Sequence, residues 1–191
     1  PVVEGGKVAA LSVHVGLWTS AALAAPPDQV PCLRAQMAAL LDKFGFDPRG
    51  HDGKALVHAL TALPHDLLIA FDRSDLERVA TAMMSLVDRP RPRILLVRSP
   101  QARLLYAFVW LPRDALSTAL RRQVQATIES ACGAPVLDWA MQVEAGLCVL
   151  RFVADIGADA ATPDEAALDA ELATIVRGWP AAVEAELVEG E

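Results

Sequence analysis

Short apolar runs bounded by turn residues fill the middle of the chain, between Pro92 and Asp155. Runs of this length and spacing are typical of β-strands joined by hairpins. The pattern predicts four strands, with one helix between the second and the third. The strands cover residues 93–98, 104–111, 136–144 and 147–154, and the helix covers residues 115–131. Every second residue of the third strand is apolar, so one of its two sides is expected to be dry.

An apolar run and a helical pattern precede this stretch. Residues 67–71 are interpreted as a further strand, and residues 74–88 as a helix that begins with the capping-box pattern at Ser74. Together with the central stretch they complete the order β-α-β-β-α-β, which is the ferredoxin-like order. The sequence therefore predicts an α+β fold built on a ferredoxin-like module, with an extra strand and a C-terminal helix after it.

The N-terminal part predicts a strand followed by a helical hairpin. Residues 8–17 alternate between apolar and polar, which indicates a strand. Helical spacing recurs over residues 31–44 and again over residues 53–63. We therefore expect two domains, covering residues 1–64 and 65–191.

The C-terminal part predicts an amphipathic helix with a capping box whose cap is Thr162. Its apolar stripe must be buried either against the sheet of the same chain or against a neighbouring subunit. Docking within the chain is favoured, because only a short connection separates strand from helix. The stripe consists of Leu168, Leu172, Ile175, Val176 and Trp179.

Charge is spread unevenly over the 191 residues, whose net charge is -7 at pH 7. Residues 91–154 carry 8 basic and 4 acidic groups, whereas residues 155–191 carry 1 and 10. The basic block has no dense Lys/Arg cluster, so attraction between parts of the chain or between subunits is favoured over nucleic-acid binding. No apolar run is long enough to cross a bilayer, and the three widely spaced cysteines fit a reducing cytoplasm. Because it starts at Pro1 without Met, the chain is expected to be a segment of a longer protein.

Two local clusters are candidates for chemistry. His51, Asp52 and Lys54 could combine proton transfer with anion binding, although a helix cap surrounded by solvated side chains is the favoured interpretation. Arg113 and Asp114 could bind an anion, but such a pair more often provides a helix cap and a surface guanidinium. No phosphate-binding glycine pattern, zinc-ligand spacing or nucleophile elbow is present. A self-contained enzyme of another class is therefore disfavoured.

Four short motifs, taken in order, resemble the large bacterial NAD-dependent glutamate dehydrogenases. They are GLWTS from Gly16, HDGKAL from His51, RPR from Arg91 and LPRD from Leu111. The resemblance runs from about residue 16 to 188 and falls in the N-terminal region before the catalytic core, where this family carries ACT-like modules. It implies an ACT-like fold and a parent enzyme that oxidatively deaminates glutamate to 2-oxoglutarate with NAD.

What the resemblance implies for this chain is a non-catalytic structural or regulatory role, with an amino-acid sensor of the ACT type as the alternative. No catalytic residue, cofactor or metal is expected in the chain itself, and NAD would bind elsewhere in the parent. The expected partners are the rest of that chain and neighbouring subunits of a cytoplasmic homo-oligomer, with no nucleic acid or membrane. Candidate effector or interface residues are His51, Asp52, Lys54, Arg113, Asp114 and Trp179.

Overall fold

A computed structural model describes the backbone of residues 2–13, 15–17, 19–23, 25–87, 89–99, 103–144 and 146–189. Among these residues, the side chains at 23, 87, 144 and 178–189 are not described. In the described part of the chain, no helix is long and apolar enough to span a membrane.

Helices dominate the first half and an antiparallel sheet the second. The strands are β1 (Val2–Glu4), β2 (Lys7–Ala10), β3 (Arg93–Arg98), β4 (Leu104–Pro112), β5 (Val136–Glu144) and β6 (Leu147–Asp155). The helices are α1 (Ser20–Leu23), α2 (Pro31–Phe44), α3 (His51–Thr61), α4 (His65–Ala70), α5 (Arg73–Val87), α6 (Thr118–Cys132) and α7 (Glu165–Glu189). Short 3-10 turns lie at Pro27–Gln29 and Arg113–Ala115.

The main sheet has the strand order β3-β4-β6-β5, and every neighbouring pair is antiparallel. Along the chain its elements follow as strand, strand, helix, strand, strand, helix. This order of elements is a circular permutation of the ferredoxin-like order. The first strand, β3, occupies the edge position that the last strand of β-α-β-β-α-β would take. The predicted α+β class is confirmed. The strand and helix that the sequence analysis treated as additions, β6 and α7, are integral parts of the module.

Alternating side chains divide the sheet between two hydrophobic cores. One face packs against the helices of the first half, α2 to α5, and the other against α6 and α7. The first core draws Leu95, Val97, Phe108 and Trp110 from the sheet. The second draws Ile94, Leu96, Val109, Leu150 and Phe152. The sheet therefore lies between two helical layers, and both layers depend on it to bury their apolar faces.

The strand predicted over residues 67–71 is wrong. This run forms α4 and its C-cap, with Pro64 at the N-cap position. Leu67, Leu68 and Phe71 are buried, whereas Ile69 is 38% exposed. Burial therefore follows the turn of a helix and not the alternation of a strand. An apolar run this short fits a helix or a strand equally well in the sequence.

The strand predicted over residues 8–17 is largely wrong as well. β2 ends at Ala10 and pairs only with β1, in a hairpin turned by Gly5 and Gly6. The apolar residues after it stay exposed, from 67% at Leu11 to 97% at Leu17. His14 and Trp18 lie outside the described residues. The helical hairpin predicted after this segment is present as α2 and α3.

The β3 edge of the sheet is sealed by two carboxylates of α7. The backbone amide of Leu96 donates to Glu165 Oε2 and that of Ile94 donates to Asp169 Oδ1, both at 2.8 Å. Arg78 donates to Glu165 at 2.7 Å, and Arg93 donates to Asp169 at 3.1 Å. Carboxylates one helical turn apart thus match the spacing of the outward amides of a strand.

The β5 edge is open. Trp139, Met141 and Val143 form an apolar row on the α6 side of the sheet, yet they are 42–52% exposed. Arg121 of α6 lies 4.4 Å above the ring of Trp139 and covers part of it. The expectation that one side of this strand is dry is wrong, because the helical layer ends before it reaches the outermost strand.

The first turn of α7 is capped by Asp164 and not by Thr162. Asp164 Oδ1 accepts from the amides of Ala166 and Ala167, at 2.9 and 3.2 Å. The hydroxyl of Thr162 instead lies 3.5 Å from the guanidinium of Arg98. The cap of α5 likewise differs from the predicted residue, which was Ser74. Asp72 accepts from the amide of Asp75 and from the Ser74 hydroxyl, and these contacts lower the pKa of Asp72.

We expect Asp164→Ala to destabilise the chain by about 1 kcal/mol, because two backbone amides at the start of α7 lose their acceptor. Thr162→Ala is the matched control and should leave the denaturation midpoint nearly unchanged. Urea unfolding followed by circular dichroism measures both variants. A larger loss in the threonine variant would show that the helix begins earlier than the structure places it.

Candidate functional site

The His51 cluster lies at the start of α3 with its side chains exposed. The helix begins at His51 with Gly50 as its N-cap, so Asp52 is in the first turn and is not the cap. Among the described residues, no hydrogen bond or ion pair is formed by the side chains of His51, Asp52 or Lys54. The three side chains are adjacent on one turn, but the structure gives them no common target.

The glycine inside this motif has a packing role. Gly53 is buried, and a Cβ placed on it would lie 2.1 Å from the carbonyl oxygen of Asp47. No real Cβ approaches a backbone atom this closely, so only glycine lets the 47–50 turn rest on α3. The most distinctive part of the motif is thus explained by chain packing.

Arg113 and Asp114 lie in the 3-10 turn that follows β4, and both side chains are exposed. The predicted cap at Asp114 is wrong, since Ser117 caps α6 by accepting from the amide of Leu120 at 3.0 Å. The backbone amide of Arg113 donates to the carbonyl of Gly146 at 2.9 Å and fixes the turn to the β5–β6 hairpin. No hydrogen bond or ion pair between described residues joins this pair to the His51 cluster.

The apolar stripe of α7 packs within the chain, as favoured from the sequence. Leu168 and Leu172 are buried in the core beneath α6 and α7, and Ile175 and Val176 are packed against it. The side chain of Trp179 lies outside the described residues. The acidic helix also meets the basic sheet segment through Arg93, which agrees with the expected attraction between the two parts of the chain.

An open groove of about 420 Å³ runs between α5, β3 and α7. Arg78, Arg91 and Arg93 line it together with Glu165. Arg78 and Arg93 form ion pairs with Glu165 and Asp169. Most of the charge in this groove is therefore neutralised within the chain.

A second, smaller cavity of about 120 Å³ lies where the helical layer meets the outer part of the sheet. We call it the junction cleft. Its walls come from the α3–α4 turn on one side and from β4, β5 and β6 on the other. The lining residues are Ala62, Leu63, Pro64, Phe108, Ala140, Met141, Gln142, Val149 and Arg151.

Arg151 is the unusual residue of the junction cleft. Its Nε is buried without a hydrogen-bond partner, which is true of only two other side-chain atoms in the described residues, Gln36 Oε1 and Trp110 Nε1. Sequence reasoning missed this residue. The sequence feature that could have drawn attention to Arg151 is that it is the single charged residue in the apolar run from Leu147 to Ala154.

Metal binding and thiol chemistry have little support in the described part of the chain. It contains no group of three or more His, Cys, Asp or Glu side chains placed to hold a metal ion. The three cysteines are free, and burial raises the pKa of the Cys132 and Cys148 thiols. Thiols shifted in this direction are less nucleophilic at neutral pH.

Two family models match consecutive parts of the chain. Residues 30–89 match "Glutamate dehydrogenase, helical motif 1", and residues 93–180 match "Glutamate dehydrogenase, ACT2 domain". The first match covers α2 to α5, and the second covers the whole main sheet with α6 and much of α7. The resemblance seen in the sequence and the ACT-like fold it implied are thereby confirmed. The division of the chain at residues 64 and 65 stays a prediction.

Full-length relatives agree with these matches. The chain is 27% identical over 178 residues to the NAD-specific glutamate dehydrogenase of Halomonas elongata, covering 92% of this chain and 11% of that protein. It is 27% identical over 176 residues to the NAD-specific glutamate dehydrogenase of Pseudomonas aeruginosa, covering 91% and 11%. The chain therefore spans about a tenth of the length of these relatives. No solved structure matches it.

Proposed function

We propose that this chain serves as a non-catalytic structural or regulatory segment of a longer NAD-specific glutamate dehydrogenase. The observation that carries the proposal is the pair of matches to a helical motif and an ACT2 domain, in a chain that covers 11% of its relatives. In that parent, glutamate would be oxidised to 2-oxoglutarate with NAD by residues outside this segment.

The packing supports a structural role. Residues matched by the helical motif and residues matched by the ACT2 domain share one hydrophobic core, in which Phe71 contacts Tyr106 and Phe108 of the sheet. The charged groups of α7 are used to hold β3 and its arginines. A unit held together in this way can keep a fixed geometry between the parts of a long enzyme that it connects.

Exposed polar side chains are the proposed contacts with the rest of the parent. His51, Asp52 and Lys54 on α3, with Arg113 and Asp114 after β4, stand free of the described part of the chain and can meet a partner surface. We propose that these partners are other segments of the parent and neighbouring subunits of a cytoplasmic homo-oligomer. Nucleic acid and membrane are not among them.

The test is a titration of the chain of residues 1–191 with NAD, followed by an assay with NAD and glutamate. The sequence has no glycine-rich strand-helix turn that would let the backbone approach a pyrophosphate. We therefore expect no dissociation constant below about 1 mM, which corresponds to roughly -4 kcal/mol, and no formation of reduced nicotinamide. The intact parent enzyme is the positive control. Saturable NAD binding by this chain with a dissociation constant below about 1 mM would overturn the proposal.

A further inference from the structure

We propose that the junction cleft binds a small carboxylate through the guanidinium of Arg151. This site goes beyond the structural role proposed above and rests on the geometry of the chain itself. The cleft lies between the segment matched by the helical motif and the segment matched by the ACT2 domain. Junctions of this kind are preferred places for small-molecule sites.

The first argument is that Arg151 lacks an acceptor, whereas Arg93 of β3 and Arg103 just before β4 each have one. Arg93 pairs with Asp169, and Arg103 donates to Asp155 at 2.7 Å. The guanidinium of Arg151 forms no hydrogen bond or ion pair with any described residue, and its Nε is buried. Arg151 as a whole is half-buried, but a buried N–H donor without an acceptor is costly. A bound anion would supply the missing acceptor to Nε.

The second argument is the space above Arg151. Its direct neighbours across the sheet are Phe108 in β4 and Ala140 in β5. The short side chain of Ala140 leaves room beside the guanidinium, and Gln142 follows on the same face with an amide that can donate a second hydrogen bond. Asp138 shares this face on β5 but is exposed and forms no ion pair with Arg151.

The third argument concerns the class of anion. Arg151 is the single charged residue among the described residues that line the cleft, and most of the others are apolar. One guanidinium matches the charge and planar shape of one carboxylate, whereas a doubly charged phosphate would lack a second cation. A volume of about 120 Å³ is well above the roughly 10–15 Å³ that is needed to hold one water molecule. The site therefore suits a short aliphatic carboxylate, or the carboxylate end of a longer molecule.

The experiment is an NMR titration of the 1–191 chain with sodium propanoate. Propanamide serves as the uncharged ligand control, and sodium phosphate serves as the competing anion. We expect saturable shifts of the Ala140 and Gln142 amides with propanoate only. Arg151→Gln should weaken binding at least about tenfold, because hydrogen bonds to a charged group are lost. Arg122→Gln removes an exposed arginine from α6 and should leave the affinity unchanged.

Three results would overturn the proposal. They are the absence of saturable shifts with propanoate, equal binding of propanoate by the Arg151→Gln variant, and phosphate binding as tight as that of propanoate. None of these results depends on whether NAD binds, so this site and the role in the parent are tested separately.

A stability measurement separates a binding role of Arg151 from a structural one. Arg151→Met removes the unsatisfied donor but keeps an apolar stem of similar length, so the denaturation midpoint without ligand should stay the same or rise. Propanoate should raise the midpoint of the unaltered chain and not that of the variant. A midpoint that falls in the variant would show that Arg151 has a structural partner, and the proposal would be wrong.

Discussion

Phe71→Ala is expected to lower the free energy of unfolding by about 3–5 kcal/mol, the usual range for truncation of a buried phenylalanine. Phe71 is 2% exposed, and its ring meets the rings of Tyr106 and Phe108 edge-on, with centroid distances of 5.3 and 6.0 Å. It is the side chain that joins the end of α4 to the face of the sheet. Its removal leaves a cavity at the boundary between the two matched segments.

The measurement is guanidinium unfolding followed both by circular dichroism, which reports the helices, and by tryptophan fluorescence, which includes Trp110 in the sheet. The control is Ile69→Ala within α4, where a side chain that is 38% exposed should contribute far less. If the shared core makes the two segments one cooperative unit, both probes report one transition in the unaltered chain. A Phe71→Ala midpoint no lower than that of the Ile69→Ala control would contradict the assignment of Phe71 to the core.

The double variant Glu165→Ala, Asp169→Ala is expected to lower the free energy of unfolding by about 2–6 kcal/mol. Each replacement leaves one part-buried backbone donor without its acceptor, which costs about 1–3 kcal/mol. Leu96 and Ile94 would lose the carboxylates that accept from their amides at 2.8 Å. Arg78 and Arg93 would lose ion-pair partners as well. The two sites are one helical turn apart, so their effects are not expected to add strictly.

Hydrogen exchange gives the sharper readout for this pair. The amides of Ile94 and Leu96 should exchange faster in the double variant, while amides in the middle of β4 keep their protection. Glu171→Ala is the matched control, because this carboxylate of α7 accepts from Thr127 and not from β3. Unchanged exchange at Ile94 and Leu96 would mean that other groups protect this edge.

Strands and long helices could be predicted wherever the apolar pattern extended over many residues. The four strands of the main sheet and the helices α2, α3, α5 and α6 coincide, within a few residues, with patterns in the sequence, and α7 begins within a few residues of its predicted start. The strand prediction for residues 67–71 was wrong because five consecutive apolar residues fit both the helical and the strand period. The helix is selected by packing, since it lets Leu67, Leu68 and Phe71 all enter the core. Tertiary packing, which is not visible locally, decided this element.

Helix caps were predicted in the right regions but at the wrong residues. At α7 the cap is Asp164 and not Thr162, and at α6 it is Ser117 and not Asp114. Several residues with capping side chains stand close together at each site, and their intrinsic preferences differ by too little to choose among them. The choice depends on where the chain leaves the preceding strand, which is a property of the whole fold.

The junction cleft could not be predicted, because its walls come from separate parts of the chain. The α3–α4 turn contributes Leu63 and Pro64, while Arg151 and Ala140 come from strands that pair with each other much later in the sequence. Local patterns identify elements but not which of their faces meet. The His51 cluster shows the converse. Its three residues are close in sequence, yet the structure gives their side chains no common target, and Gly53 between them is buried close to the backbone of Asp47.

The unequal edges of the main sheet limit how far assembly through it can proceed. Fibrous β-structure grows without end because each added strand presents a fresh edge to the next one. Here the amides of Ile94 and Leu96 at the β3 edge are already bound to carboxylates, so only β5 can accept a further strand. Two such modules joined at β5 would present sealed edges on both outer sides. Polymerisation along the hydrogen-bonding direction would therefore terminate after a single step.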